Sequence, residues 1–125
     1  MIGSIIVSLL KANNDLLALV NENSIFPYVA EENTNLPLII YAIDDIDVSY
    51  SKDGWVKDLC NFHVMSFSEN YDDLQLIVAE IRSVLELKYT SDTKRIIVTG
   101  MQEGFNLNEQ VFLNKLNFAV EIINL

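Results

Sequence analysis

Two stretches of strict alternation constrain this sequence more than any other feature. Apolar and polar residues alternate over residues 60–64 and again over residues 115–122. Side chains of a β-strand point alternately to its two faces, so this period of two indicates strands with one buried and one wetted face. Such half-buried strands need a second layer that covers their apolar side.

A turn signal joins the first of these strands to an earlier one. Asp53-Gly54 lies between an apolar run that starts at Leu38 and the alternating segment that ends near Phe67. Asp-Gly between two β-rich segments is typical of a hairpin. Before this hairpin, Ile25-Phe26-Pro27 predicts a short extended piece, because proline fixes its own φ and biases the preceding residue towards extended backbone.

The C-terminal part of the chain predicts a second hairpin. One strand starts at Arg95, and the other covers residues 113–123. The intervening stretch from Gly100 to Gln110 is predicted as the hairpin loop between them, with a bulge at Gly104.

Two further segments have the spacing of amphipathic helices. Residues 2–10 place apolar side chains on one helix face, and the polar residues 13–15 break or bend this element into one bent helix or two short ones. Asn70 is a suitable N-cap for a second helix over residues 71–87. The apolar stripe of this helix consists of Leu74, Ile77, Val78, Ile81 and Leu85.

Together these elements predict the fold class. Their order is helix, short strand, hairpin, helix, hairpin, or α-β-β-β-α-β-β. The sequence therefore predicts an α+β fold in two layers, with a mainly antiparallel sheet packed by two amphipathic helices. A chain of 125 residues is expected to form a single domain over residues 1–125.

The charge balance limits the partners of this chain. Eight Lys and Arg residues oppose eighteen Asp and Glu residues, which gives a formal net charge of −10. Nucleic-acid affinity comes mostly from basic residues that neutralise phosphates, so specific binding to nucleic acid or to an anionic membrane is not expected. No basic region precedes the N-terminal apolar run and Lys11 interrupts it, so we expect neither a targeting segment nor a membrane span.

The sequence offers little material for catalysis or metal binding. The single cysteine, Cys60, and the single histidine, His63, have opposite parity on one predicted strand, which disfavours a nucleophilic Cys–His pair. We interpret Cys60 as buried and His63 as half-exposed. The acids near Asp45 do not have the spacing of an EF-hand loop, because Ser49 and Tyr50 stand at its fifth and sixth positions. We expect no catalytic residue, no cofactor and no metal site, and therefore not an enzyme.

Candidate interaction residues remain in the loops and at the polar end of the first long strand. They are Glu31, Glu32, Asp44, Asp45, Asp47, Trp55 and Glu103. Trp55 belongs to a set of aromatic residues that suit either an interface or the core, and for each one alone the core is the preferred interpretation. The other members of that set are Tyr50, Phe67 and Tyr89.

An ordered set of short segments resembles the tail-completion proteins (tail terminator, head–tail joining) of long-tailed bacteriophages and prophages. The segments are Leu16-Leu17-Ala18-Leu19-Val20, Ile25-Phe26-Pro27, Leu36-Pro37-Leu38-Ile39-Ile40-Tyr41, Asp53-Gly54, Phe62-His63-Val64-Met65-Ser66-Phe67, Asn70-Tyr71-Asp72-Asp73 and Ile81-Arg82-Ser83-Val84-Leu85, followed by the final hairpin. The sequence departs from the family at Ser66-Phe67-Ser68, where the family often has Trp-Ala or a similar pair.

The resemblance implies a non-enzymatic virion structural protein. Proteins of that family form a ring, usually a hexamer, that caps the tail tube and joins it to the head connector. The implied partners are other copies of the chain, the tail tube protein and the head-completion or connector protein. The implied location is the head–tail joint of a virion assembled in the bacterial cytoplasm.

DNA passes through such a ring, so an acidic bore would repel its phosphates. Either Asp44, Asp45 and Asp47 or the Glu31-Glu32 loop is a candidate for that bore, and the alternative is the outer wall. The alternative function is a small dimeric α+β binding module for a peptide or a small ligand.

Overall fold

The computed structural model describes residues 2–52 and 54–123, with the backbone alone at Ser51, Trp55 and Val56. Within this part, the chain forms helices, a 3₁₀ turn and a sheet. In chain order these elements are α1 (Ile2–Lys11), α2 (Asn14–Leu17), the 3₁₀ turn (Glu22–Ser24), β1 (Ile25–Pro27), β2 (Leu38–Ser51), β3 (Gly54–Ser68), α3 (Tyr71–Leu85), β4 (Ile97–Asn106) and β5 (Val111–Ile123).

The five strands form one mixed sheet in the order β1-β2-β3-β5-β4. β1 pairs with β2 in parallel, and the other three pairings are antiparallel. The predicted α+β class and the mainly antiparallel sheet are therefore confirmed. The turn residue Asp53 of the first predicted hairpin lies outside the described residues.

Asparagine caps set the starts of two helices. The polar break after α1 produces two short helices, because the Asn13 side chain accepts a hydrogen bond of 2.8 Å from the backbone N–H of Leu16 and starts α2 there. Asn70 caps α3 in the same way by accepting from the N–H of Asp73 at 3.0 Å. α3 ends at Leu85, two residues before the predicted end, and Leu87 already has a positive φ of 62°.

The helices cover one face of the sheet. The apolar stripe of α3 is fully buried at Leu74, Ile77 and Ile81, and it packs on β3 and β5 as well as on α1. Under it, the rings of Phe62 and Phe118 stack with their centroids 5.0 Å apart. Burial of this contiguous apolar cluster is the main force that holds the two layers together.

The second hairpin differs from its prediction. β4 continues to Asn106, so the segment predicted as a loop from Gly100 to Gln110 is mostly strand, and the turn is confined to residues 107–110. The bulge lies between Val98 and Gly100, whereas Gly104 pairs regularly with Leu113. β4 is the edge of the sheet, and most of its side chains are exposed, which gives it the polar composition of a loop.

Candidate interaction surface

The two faces of the sheet differ in chemistry. In the middle of β3, the alternate residues Cys60, Phe62 and Val64 point into the helix-covered core and are fully buried. The residues between them, Asn61 and His63, point to the opposite face, which we call the open face. The prediction that Cys60 is buried while His63 is half-exposed on the other side is confirmed.

One border of the open face is acidic. β1 pairs with β2 only as far as Tyr41, so beyond that residue no described strand pairs with the outer edge of β2. Three exposed acids follow on this border: Asp44, Asp45 and Asp47. We call these three residues the acidic edge.

A bulge orients the first two members of the acidic edge. The register of β2 on β3 shifts between Ile43 and Asp45, so Asp44 is an extra residue in β2. Asp44 Oδ1 lies 2.7 Å from Nδ1 of His63, and Asn61 donates to Asp45 Oδ1 at 2.7 Å. These contacts hold two negative charges in place on the open face.

The opposite border of the open face is basic. The loop that follows α3 in the chain is bonded to β5. The N–H of Lys94 donates to the carbonyl of Glu121 at 2.9 Å, and the N–H of Ile123 donates to the carbonyl of Asp92 at 2.8 Å. These bonds fix the loop beside the end of β5, and they leave Lys94 and Arg95 exposed at the border of the sheet. We call these two residues the basic edge.

The two basic side chains differ in their partners. Lys94 and Lys57 both bind the carboxylate of Glu121, each at 3.0 Å. The bond from Lys57 first, and that from Lys94 second, hold the pKa of Glu121 below its ordinary value. Arg95 forms no salt bridge with any residue in the described ranges. Its guanidinium is therefore available to a partner.

A pocket of about 710 Å³ adjoins the basic edge on the open face. Tyr89 and Ile97, which help to line it, are 69% and 55% exposed. The remaining lining residues are Leu59, Thr93, Lys94, Arg95, Ala119, Val120 and Glu121. We call this feature the edge pocket. Its apolar wall and charged rim are typical of a contact surface.

The structure separates the predicted candidate residues. Glu31 and Glu32 are exposed in the loop before β2, whereas the acidic edge lies in the middle of that strand. The side chain of Trp55 lies outside the described part of the chain. The core interpretation is wrong for Tyr50 and Tyr89, which are 74% and 69% exposed because both lie beyond the area that the helices cover.

Glu103 lies on β4 and connects the sheet to α3. Its carboxylate accepts hydrogen bonds from Nε2 of Gln75 and from the hydroxyl of Tyr71, both at 2.9 Å. The bond from Gln75 first, and that from Tyr71 second, lower the pKa of Glu103 below its ordinary value. This predicted interaction residue therefore already has two partners within the chain.

Two features of the described residues concern metal binding and thiol chemistry. Within residues 2–52 and 54–123, no three His, Cys, Asp or Glu side chains are placed so that they could hold a metal ion. Burial first, and then the nearby charges of Asp45, Asp44 and Asp58, raise the pKa of the Cys60 thiol to about 11. The reactive thiolate is therefore scarce at neutral pH.

None of the described helices is both long and apolar enough to span a bilayer.

A solved structure titled "Virion of native gene transfer agent (GTA) particle" contains a chain of similar fold. The match has a TM-score of 0.75 and covers 95% of this chain and 92% of that chain, at 12% sequence identity. At this identity the likeness shows the fold. No protein-family model matches the chain, and no curated protein sequence matches it.

The acidic edge was partly accessible to sequence reasoning, whereas the basic edge was missed. Lys94 and Arg95 are adjacent just before a predicted strand, and that adjacency was the available signal. Their position opposite the acidic edge depends on the order of the strands, which the local pattern does not contain.

Proposed function

We propose that this chain is a non-enzymatic structural protein of a phage or phage-derived virion. The observation that carries the proposal is the fold shared with a chain of a gene transfer agent virion over 95% of this chain. A chain with this fold over nearly the same length is thus present in a virion particle. The buried state of Cys60 agrees with a role in assembly.

We further propose that copies of the chain form a ring, usually a hexamer, at the head–tail joint. The ring would cap the tail tube and join it to the head connector, with the tube protein and the connector protein as its partners. A ring requires a contact between two unlike surfaces of one chain. The acidic edge and the basic edge, on opposite borders of one sheet, support this requirement.

The exposed loop containing Glu31 and Glu32 is our candidate for the wall of the bore. Both acids are exposed, and negative charge along the bore would keep DNA phosphates from adhering during passage. A map of the assembled ring that places this loop on the outer wall would reject this assignment.

Deletion of the gene from its phage or prophage tests the proposed function. We expect full heads and separate tails of irregular length in electron micrographs, and we expect a plasmid copy of the gene to restore joined particles. Joined particles in the deletion strain would overturn the proposal. The control is deletion of a gene outside the virion assembly region.

The edge pocket favours a second candidate function, a small dimeric module that binds a peptide or a small ligand. Its volume of about 710 Å³ is in the range of ligand sites. Light scattering on the purified chain separates the two candidates, because a binding module of this kind is a stable dimer and a ring is larger.

A further inference from the structure

We propose that the acidic edge of one copy docks on the basic edge and the edge pocket of the next copy. This inference rests on the proposed ring and names the surfaces that build it. The partner is a second copy of this chain, and the contact is heterologous, since each copy uses one border of its sheet for each neighbour.

The two edges lie at the same level along the strands. Asp47 of β2 is opposite Leu59 of β3, and Leu59 is opposite Glu121 of β5. Glu121 in turn binds Lys94 through its carbonyl and its carboxylate. A straight line across the sheet therefore connects the acidic edge to the basic edge.

This common level suits cyclic symmetry. Rotation about an axis parallel to the strands leaves every position along that axis unchanged. Copies related by such a rotation present the acidic edge of one to the basic edge of the next without any shift along the axis. A contact of this kind forms a closed ring when the rotation between neighbours divides a full circle.

The strand directions agree with the same arrangement. Three successive antiparallel pairings connect β2 through β3 and β5 to β4, so β2 and β4 run in opposite directions. When a neighbour keeps the orientation of the sheet, its β2 approaches this border antiparallel to β4. At the level of Asp47 the border is the segment just before β4, where Thr93 bridges Ile122 in antiparallel orientation and the N–H of Lys94 donates to the carbonyl of Glu121. This segment runs in the same direction as β4, so the outer edge of β2 beyond Tyr41 meets a border of suitable direction.

Charge selects this pair of surfaces from the others. The chain carries a net charge of −10, so most surfaces of two copies repel each other. Arg95 is exposed and forms no salt bridge in the described ranges, and the same holds for Asp47. Opposite charges at the rim orient the approach, while the exposed apolar surface of Tyr89 and Ile97 supplies area to bury.

The test uses charge reversal in the full-length chain. We expect Asp47→Lys and Arg95→Glu each to raise the concentration needed for half-assembly by about tenfold or more, because each variant places like charges in every contact. An equimolar mixture of the two variants should assemble again, since each contact then pairs a new lysine or the native arginine with an acid. Light scattering and sedimentation measure the assembly.

Two exposed residues on the N-terminal helices provide matched controls. Asp15→Lys and Lys11→Glu change the net charge by the same amounts, away from the proposed contact, and should assemble as the unmodified chain does. Circular dichroism checks that every variant is folded.

The outcomes separate this inference from the proposed function. An unmodified chain that stays monomeric, a two-fold dimer, reversal variants that assemble normally, or a mixture that fails to assemble would each overturn the contact. If one of these results is obtained and the deletion strain still lacks joined particles, the proposed function is supported and only the proposed contact is rejected. Joined particles in the deletion strain, together with rescue in the mixture, would reject the function and leave the contact supported.

Discussion

Asp44 and Asp45 are adjacent in the chain, and each binds a different side chain of β3 on the open face. In a regular strand two adjacent residues point to opposite faces, so the sequence pattern alone cannot place both on one side. The bulge at Asp44 allows it, because the extra residue shifts the parity of β2. The acidic character of this border was predictable from composition, whereas the contacts with His63 and Asn61 depend on the bulge.

The buried thiol of Cys60 should make the folded chain less stable as the pH becomes alkaline. Its pKa rises from 9.0 to about 11 in the folded chain, mainly because burial disfavours the thiolate. Above pH 9 the unfolded chain loses this proton while the folded chain keeps it, so folding stability falls as pH rises through this window. By the upper end of the window, the loss from this group amounts to roughly 2–3 kcal/mol.

Urea unfolding on either side of pH 9 measures this effect. We expect Cys60→Ala to remove the part of the alkaline loss that the thiol causes. A variant with the same pH dependence as the unmodified chain would contradict the prediction. In addition, a thiol reagent should modify Cys60 slowly in the folded chain and rapidly in urea.

Glu103 provides a second test at the scale of single residues. Gln75→Ala or Tyr71→Phe removes one donor to its carboxylate, so each should raise the pKa of Glu103 back towards 4.5. Since this pKa is lowered by folding, the contribution of Glu103 to stability is present above pH 4.5 and is lost as pH falls through the lowered value. Carboxyl NMR titration measures the shift, and an unchanged pKa in both variants would contradict it.

Helices and strands were predictable to different degrees. The start of α3 at Tyr71 follows from Asn70 and the buried stripe, since capping and helical spacing are local signals. The extent of β4 was not predictable, because an edge strand with exposed side chains has the composition of a loop. β1 was predicted as extended, but its parallel pairing with β2 depends on distant residues.

The cap of α3 can be removed without touching the core. Asn70→Ala loses the bond to the N–H of Asp73 and should lower the free energy of unfolding by about 1 kcal/mol. Asn70→Asp keeps an acceptor oxygen at the same place and serves as the matched control. Urea denaturation distinguishes the two, and equal losses in both variants would argue against a capping role.

Neighbouring residues of α3 test the two-layer packing. Ile77 is fully buried against the sheet, whereas Leu76 is 55% exposed. Ile77→Ala should lower the free energy of unfolding by roughly 2–5 kcal/mol, because it removes core contacts and leaves a cavity. Leu76→Ala should lower it by less than about 0.5 kcal/mol. Similar losses for the two variants in thermal or urea unfolding would contradict the placement of the buried stripe on α3.

At the scale of the whole molecule, the class of fold followed from periodicity alone. The strands repeat with a period of two residues and the helices with a period of 3.6, and each has one apolar face that must be buried. A helical layer packed on a sheet is one of the few arrangements that bury all of these faces. The order β1-β2-β3-β5-β4 places the basic edge opposite the acidic edge, and this placement results from pairings between distant segments. For that reason the sequence indicated one half of the candidate surface and not the other.

The charge of the whole molecule predicts its behaviour towards DNA. With a net charge of −10, the chain should not retard duplex DNA in a gel even at low salt, because too few phosphates can be neutralised. A basic DNA-binding protein at the same concentration is the positive control. Retardation that disappears at higher salt would contradict the prediction and would point to Lys94 and Arg95 as the site.

The unlike borders of the sheet have one more consequence. A contact between two different edges specifies the angle between neighbours, and the number of copies follows only from how that angle divides a full circle. Substitutions that alter the twist of β2 near its bulge should therefore change stoichiometry, or produce open helical polymers, while every individual contact survives. The twist of β2 would therefore decide whether the addition of copies ends in a closed ring.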